Sequence, residues 1–285
     1  MKKYLKLMRV HHYLKNILVF AALACSGMLF DGKKFTHCLL GFVAFCMVCS
    51  VVYIINDIMD REKDRCHPTK CRRPIASGAV SVQKACALAA VLFIVACLCN
   101  YLVFSLPATL LLGAYLLLNL AYSFGLKNVP IVDVAILVSG FWIRVLYGAL
   151  ITDIHISDWL YLTIVMLAFF LALGKRRNEL KRMKDGETRE VLKAYPIAFL
   201  DKMMYMCLTL ASVFYTLWTL TADTVKVYGE YLVYTVPIVM LITMRYSMDI
   251  EGNSDGDPVE VLVHDHFLMV LCLIYLASML AILYR

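Results

Sequence analysis

Charge is what this chain has least of. Only 17% of its 285 residues are Asp, Glu, Lys or Arg, while 62% are hydrophobic, and an average soluble domain is about 25% charged and 45–50% apolar. That shortage excludes an ordinary soluble domain and leaves a polytopic membrane protein. Linker-like and low-complexity segments are also missing, so residues 1–285 read as one domain. No small-residue cleavage site follows the basic start before Asp31, so a cleavable signal peptide is not expected. Eleven cysteines are present, mostly within apolar runs where Cys behaves as a small hydrophobe, and no disulfide framework is expected. Cys46 and Cys49 form a C-x-x-C without acidic or His neighbours, which favours packing over redox work. Cys66, His67 and Cys71 lack a fourth zinc ligand.

What is abundant is the long apolar run. A helical span needs about 20 apolar residues, and nine candidates meet or approach that length, near 14–30, 37–57, 82–104, 107–124, 130–150, 158–174, 198–221, 229–246 and 266–284. The first and sixth are the shortest. The expected fold is therefore all-α, about nine transmembrane helices around a central polar cavity. Lys and Arg crowd into 1–15, 58–84 and 175–202, with Lys127 and Arg245 on the same side. Only Lys33, Lys34, Lys226 and Arg285 fall opposite, and Arg144 lies within the fifth span. The positive-inside bias then places the amino terminus and both charged loops in the cytoplasm and the carboxyl terminus outside a cell membrane. The net charge of +7 follows from this orientation signal and from contact with anionic lipid or a phosphorylated substrate, and requires no nucleic acid.

The chemistry concentrates at Asn56–Gly78, NDIMDREKDRCHPTKCRRPIASG, directly after the second span. Carboxylates at a bilayer edge repel one another and lose hydration, so they persist mainly where a cation or a partner compensates them. On a helix turning about 100° per residue, Asp57, Asp60 and Asp64 share an arc of about 60°, with Asn56 about 40° further round on the same side. Three carboxylates on one stripe suit Mg²⁺, which takes one or two of them and leaves its other positions to water and phosphate. The bland alternative is a solvated helix end where Arg61, Lys63 and Arg65 pair with the acids. Helix should stop before Pro68. Lys70, Arg72 and Arg73 then lie on a loop shaped by Pro74 and Gly78, where several donors can converge on phosphate oxygens.

N-D-x-x-D-x-x-x-D followed by H-P-x-K-x-x-R-P-I-A-S-G resembles the first signature of the UbiA superfamily of intramembrane prenyltransferases. Within it, the sequence is most similar to the branch of phosphoribose diphosphate:decaprenyl-phosphate phosphoribosyltransferases. Met8–Asn16, with Tyr13 in an aromatic slot and Lys15 and Asn16 at its end, resembles that branch's R-x-x-x-W-x-K-N element. Tyr122 to Lys127 and Asp133-Val134 resemble its Y-S-x-x-L-K-x-x-P-x-x-D-V. Gly140–Arg144 resembles G-F-x-x-R, Gly174–Leu180 resembles G-K-R-x-x-E-L, and Gly256–Glu260 resembles a motif before the last helix. The resemblance implies a phosphoribosyl pyrophosphate donor, a polyprenyl phosphate acceptor and Mg²⁺ held by Asp57, Asp60 and Asp64. It implies substrate contacts at Lys15, Asn16, Asn56, Lys70, Arg72, Arg73, Tyr122, Lys127, Arg144, Lys175, Arg176 and Glu179.

The second charged loop departs from the usual superfamily pattern of a second aspartate-rich motif. From 174 to 184 it carries Lys175, Arg176, Arg177, Lys181, Arg182 and Lys184 with the single acid Glu179. A basic wall beside one metal suits a donor carrying a 5-phosphate as well as a diphosphate. Lys175 and Glu179, at i and i+4, also fit a plain surface ion pair. Arg144 should face a polar cavity, because a guanidinium within a span costs at least about 2.5 kcal/mol; Asp133 and a bound phosphate are its expected partners. Two rivals stay open, an ordinary prenyltransferase using the first motif alone, and a non-enzymatic transporter or scaffold.

Overall fold

The computed structural model describes residues 2–103, 105–181, 190–252 and 258–284. Among them the chain is helical, with no strand, and it divides into two compact units, Met1–Leu126 with Ile143–His155, and Lys127–Trp142 with Ile156–Arg285.

The first unit begins with α1 (Lys2–Met8), a 3-10 helix over Val10–Phe20 and one turn, α2 (Ala21–Ala24). Then come α3 (Gly32–Met59), α4 (Arg61–Arg65), α5 (Val82–Val103) and α6 (Leu106–Phe124). Asp31 starts α3 by accepting from the N–H groups of Lys33 and Lys34, each at 3.0 Å, an N-cap that satisfies two orphan donors. Ser105 does the same for α6 through Ala108, with Pro107 in the first turn. α3 is the hub, packing on α1, the 3-10 segment, α5 and α6. The second half of α7 (Val132–Thr152) also belongs to this unit. In lipid, apolar surface drives little helix association, so close backbone approach and polar links carry more of the packing. Gly148 lets Val19 in: a Cβ there would sit 1.9 Å from the Val19 carbonyl oxygen. Tyr147 donates to Asn100 Oδ1 at 2.8 Å, and Asn100 donates on to Thr109 at 2.6 Å, tying α7, α5 and α6.

The second unit holds the first half of α7, then α8 (Asp158–Lys181), α9 (Ile197–Leu220), α10 (Ala222–Tyr228), α11 (Val236–Glu251), α12 (Pro258–His264) and α13 (His266–Leu283). α8 lies along α9, and their seam continues into a core of Phe170, Leu200, Met204, Ile250 and Leu268. Asp265 caps α13 through Phe267 N–H at 2.9 Å and pairs with Arg245.

Among the described residues, eight helical segments are long and apolar enough to cross a membrane, and Ala222–Glu251 counts as one of them. The ninth sequence candidate, 14–30, is not a long α-helix but the 3-10 stretch plus α2. At about 2.0 Å per residue in the 3-10 form and about 1.5 Å in the α form, Val10–Ala24 spans about 28 Å, comparable with a hydrocarbon core of about 30 Å. The protein is a multi-pass membrane protein, and α5 carries exposed apolar side chains such as Val91, Ile94, Leu98 and Leu102.

Candidate active site

The acidic motif straddles a break. α3 ends at Met59, and Asp60 turns the chain into the single turn of α4. The backbone keeps near-helical register across it, with Asp60 N–H donating to Asn56 and Asp64 N–H to Asp60. Asp57 and Asp64, two turns apart, therefore stay on one side, both buried. The following loop folds back because Ile75 and Val80 bury against Leu7, Val51, Ile54 and Ala85. Gly78 takes φ 74°, a left-handed conformation that glycine adopts without strain.

That anchored loop delivers Arg73. Its Nη1 lies 2.6 Å from Asp64 Oδ2 and 3.2 Å from Asp57 Oδ1. Arg9 reaches the same Asp57 oxygen at 2.7 Å and stacks over Tyr53, 4.6 Å from the ring centroid. Arg9 itself has left-handed backbone, φ 53° and ψ 48°, where α1 gives way to the 3-10 segment. Lys3 and Lys6 of α1 donate to the carbonyls of Ala79 and Arg72, stitching the amino terminus to the loop. Arg61 and Arg65 pair with the exposed Glu62, as the bland reading of the helix end expects, whereas Asp57 and Asp64 are buried against Arg9 and Arg73. Hydrogen bonding from Arg61, with help from Arg65, holds the Glu62 carboxyl below its ordinary range.

Two expectations need correction. Asp57, Asp60 and Asp64 do not gather as a three-carboxylate cluster; among the described residues no group of three His, Cys, Asp or Glu is placed to hold a metal. Asp60 sits half-buried at the cap, while Arg73 draws Asp57 and Asp64 together. The donor set still suits a hard divalent cation. Two buried carboxylates already converge on one cationic nitrogen, and Mg²⁺ needs only one or two carboxylates when phosphates and water complete its sphere.

The second correction concerns Arg144. Asp133 is not its partner, because eleven residues of helix separate the two by about 16 Å, beyond side-chain reach. Arg144 is buried and its Nε donates to Asn16 Oδ1 at 2.8 Å; Nη2 lies 3.3 Å from the Tyr115 hydroxyl and 3.5 Å from Cys49 Sγ. Its guanidinium also sits over Phe45 and Tyr115, 4.9 and 5.2 Å from their centroids, a stabilising use of ring quadrupoles for a desolvated cation. Asn16 in turn donates to Cys46 at 3.1 Å. Cys46 and Cys49 are thus more than packing: they take polar contacts around this guanidinium.

In the second unit Asp133, fully buried, belongs to Arg176. Arg176 Nε donates to Asp133 Oδ2 at 2.9 Å and Nη1 to Glu179 at 2.8 Å. Tyr195 donates its hydroxyl to Asp133 Oδ1 at 2.6 Å and accepts from Ile131 N–H. Burial first, and this bond to a carboxylate second, push the Tyr195 phenol up to about 12. Glu179 is engaged at i−3 by Arg176, a nearer geometry than the i,i+4 pairing with Lys175 read from the sequence. Arg177 is also buried and ties α8 to Asp201 of α9 and Glu251 of α11, while Asn178 donates to Ile250 O at 3.0 Å.

Of the anticipated residues, the structure brings together Asp57, Asp64 and Arg73, and separately Asn16 with Arg144 and Arg176 with Glu179. Arg72 is exposed, and Lys15, Asn56, Lys70, Tyr122, Lys127 and Lys175 are half-buried. Arg182, Lys184, Gly256 and Asp257 lie outside the described residues. Sequence reasoning passed over Arg9, Tyr53, Tyr115 and Tyr195. Arg9 alone carried a usable signal, as the first basic residue of the amino-terminal element.

Membrane-spanning helices with buried aspartates bridged by arginine at a helix end define an intramembrane protein with a buried ionic cluster. The chain belongs to the UbiA prenyltransferase family, whose model matches residues 16–271. It is 33% identical to the decaprenyl-phosphate phosphoribosyltransferase of Mycolicibacterium smegmatis, over 98% of this chain and 92% of that one. To the protein of the same name from Corynebacterium glutamicum it is 31% identical, over 98% and 86% of the two chains. A solved UbiA homologue from Archaeoglobus fulgidus, bound to GPP and Mg²⁺, superposes with a TM-score of 0.71 at 17% identity, covering 99% of this chain and 100% of the other. That likeness establishes the fold.

Proposed function

We propose that the protein transfers a 5-phosphoribosyl group from phosphoribosyl pyrophosphate to a polyprenyl phosphate and releases pyrophosphate. Its similarity along nearly the whole chain to proteins named decaprenyl-phosphate phosphoribosyltransferase carries this reading. The bond from the anomeric carbon to the pyrophosphate oxygen breaks, and a phosphate oxygen of the lipid forms the new bond to that carbon. No general base is required, since the attacking oxygen is already anionic. Asp57 and Asp64, with Asp60 beside them, would hold Mg²⁺, which when bound shields the charge that gathers on the departing diphosphate. Arg73, Lys70 and Arg72 bind diphosphate oxygens from the loop, and a fork of guanidinium donors suits this better than a point charge. Asn56 supports the diphosphate end; Lys15, Tyr122 and Lys127 meet the substrates at the membrane edge.

Arg144 and Asn16 position the helices that carry the aspartates, because the guanidinium joins the 3-10 segment, α3, α6 and α7 in one network. In the second unit Lys175 is the proposed phosphate contact, whereas Arg176 and Glu179 act through the ion pair with Asp133. The excess of Lys and Arg in the two charged loops supports a cytoplasmic amino terminus and site and an outward carboxyl terminus.

The test is to incubate purified protein with Mg²⁺, polyprenyl phosphate and labelled phosphoribosyl pyrophosphate and to analyse the lipid fraction by mass. A lipid gaining one phosphoribosyl group supports the reading. Consumption of a prenyl diphosphate with the labelled donor untouched would assign the protein to ordinary prenyl transfer.

A further inference from the structure

The aspartate pair of the first unit is already neutralised by the chain itself. Asp57 and Asp64 bring two negative charges on side chains 3% and 5% exposed, and Arg9 and Arg73 bring two positive ones. A divalent ion bridging the same two oxygens would meet Arg73 Nη1, which stands 2.6 and 3.2 Å from them. Charge counting gives the same answer. Adding two positive charges to a buried, balanced set leaves an excess of two, which is costly where water screens poorly. A diphosphate restores the balance.

We propose that Arg73 is an internal competitor for the divalent cation. It occupies the carboxylates while the donor is absent, and passes to the diphosphate when metal and diphosphate arrive together. The site therefore takes a metal–diphosphate complex in preference to the free ion. The proposal rests on the function argued above only in naming a diphosphate as the anion.

The two arginines are built differently, and that difference assigns the roles. Arg73 lies on a loop whose backbone is fixed by buried Ile75 and Val80. Its side chain is 25% exposed, so the guanidinium can change partner while its Cα stays in place. Arg9 is held by left-handed backbone and by stacking on Tyr53, and it stays on Asp57. Because metal and diphosphate then act on the same guanidinium, each must strengthen binding of the other by the same factor, and such couplings usually run to about 5–150-fold.

Binding of Mn²⁺ to purified protein, followed by the electron paramagnetic resonance of the free ion, tests this without donor, acceptor or turnover. Methylenediphosphonate serves as the non-hydrolysable diphosphate. Wild-type protein should bind Mn²⁺ at least about tenfold more tightly with the diphosphonate present, after correction for chelation in solution. Arg73→Gln should bind Mn²⁺ alone about tenfold more tightly than wild type and lose most of that strengthening, whereas Arg61→Gln, whose guanidinium pairs with Glu62, should match wild type. Arg73→Gln leaves two carboxylates without their bridge, so Arg73→Lys provides a second reading. A single ammonium bridges them less well, and Mn²⁺ affinity should rise in the same direction by less. Mn²⁺ affinity unchanged or weakened in a folded Arg73 variant, or no strengthening in wild type, overturns the proposal. A failure of the phosphoribosyl assignment would show instead as unlabelled lipid, with the Mn²⁺ titrations unaffected.

Discussion

Replacing Arg176 by Met should destabilise the second unit by about 3–5 kcal/mol, the usual cost of leaving one partner of a buried ion pair alone. The structure supports that magnitude independently. Asp133 is fully buried, Arg176 is 2% exposed, and their contact is 2.9 Å; two unit charges about 4 Å apart at an effective dielectric of about 20 attract by about 4 kcal/mol. After the substitution Asp133 keeps the Tyr195 hydroxyl, one hydrogen bond against a full charge. Adding Asp133→Asn removes the charge while its amide oxygen still accepts from Tyr195, so the double variant should recover at least about half of the loss, a non-additivity expected of residues in direct contact. Reversible unfolding in mixed micelles of increasing SDS, read by tryptophan fluorescence, measures this. Trp142, Trp159 and Trp218 all lie in the second unit. A loss below about 1 kcal/mol for Arg176→Met, or a double variant worse than either single one, would refute the structural reading of this arginine and return it to the substrate.

Gly148→Ala should cost about 1–3 kcal/mol by overpacking, because its Cβ would overlap the backbone of Val19, whereas Gly113→Ala meets nothing within 4 Å and should be neutral or slightly stabilising; thermal unfolding compares the two. Asp57→Asn and Asp64→Asn should each lower transferase turnover by at least about 100-fold, within the range for removing an electrostatic transition-state contact, with an unchanged gel-filtration profile. The bond from Arg245 holds Asp265 at about 2, below the ordinary Asp value near 3.9. Its contribution to stability is therefore complete above about pH 4 and is lost as pH falls through about 2. The melting difference between wild type and Asp265→Asn should stay constant from pH 7 to 4 and shrink below that.

Much of the fold was legible because a span is a local property. Eight apolar runs can be read off the chain, and the structure moves their ends by only a few residues in most cases. Longer shifts occur at the start of α3, at the end of α8 and at both ends of Ala222–Glu251, and the one at α3 has a physical cause. Lys33 and Lys34 look like loop residues, yet Asp31 caps the helix ahead of them and Lys34 reaches the carbonyl of Thr152 at 2.7 Å. The 3-10 segment escaped notice for a different reason. Its apolar length is that of a short α-span, and what draws it out is tertiary: Asn16 is held by Arg144, 128 residues away, and Val19 settles against Gly148.

The site divides along the same line. Asp57, Asp64 and Arg73 could be singled out from helical period and a loop turned by Pro74 and Gly78, but that pattern aimed Arg73 at phosphate oxygens and not at the two carboxylates it meets. Arg9 was not singled out, since its partner lies 48 residues on, and nothing in the spacing of either residue names the other. Arg144 drew the wrong partner by the reverse error, a carboxylate on its own helix being preferred to an amide, a phenol and two rings. Low dielectric explains the outcome. A desolvated guanidinium is satisfied by dipoles and π faces arranged around it, so in a membrane bundle the nearest carboxylate along the sequence is weak evidence for pairing. The same reasoning makes the balance at Asp57 and Asp64 informative: with two guanidinia at 2.6–3.2 Å from a buried carboxylate pair, any further cation must bring its own anion or displace one of them.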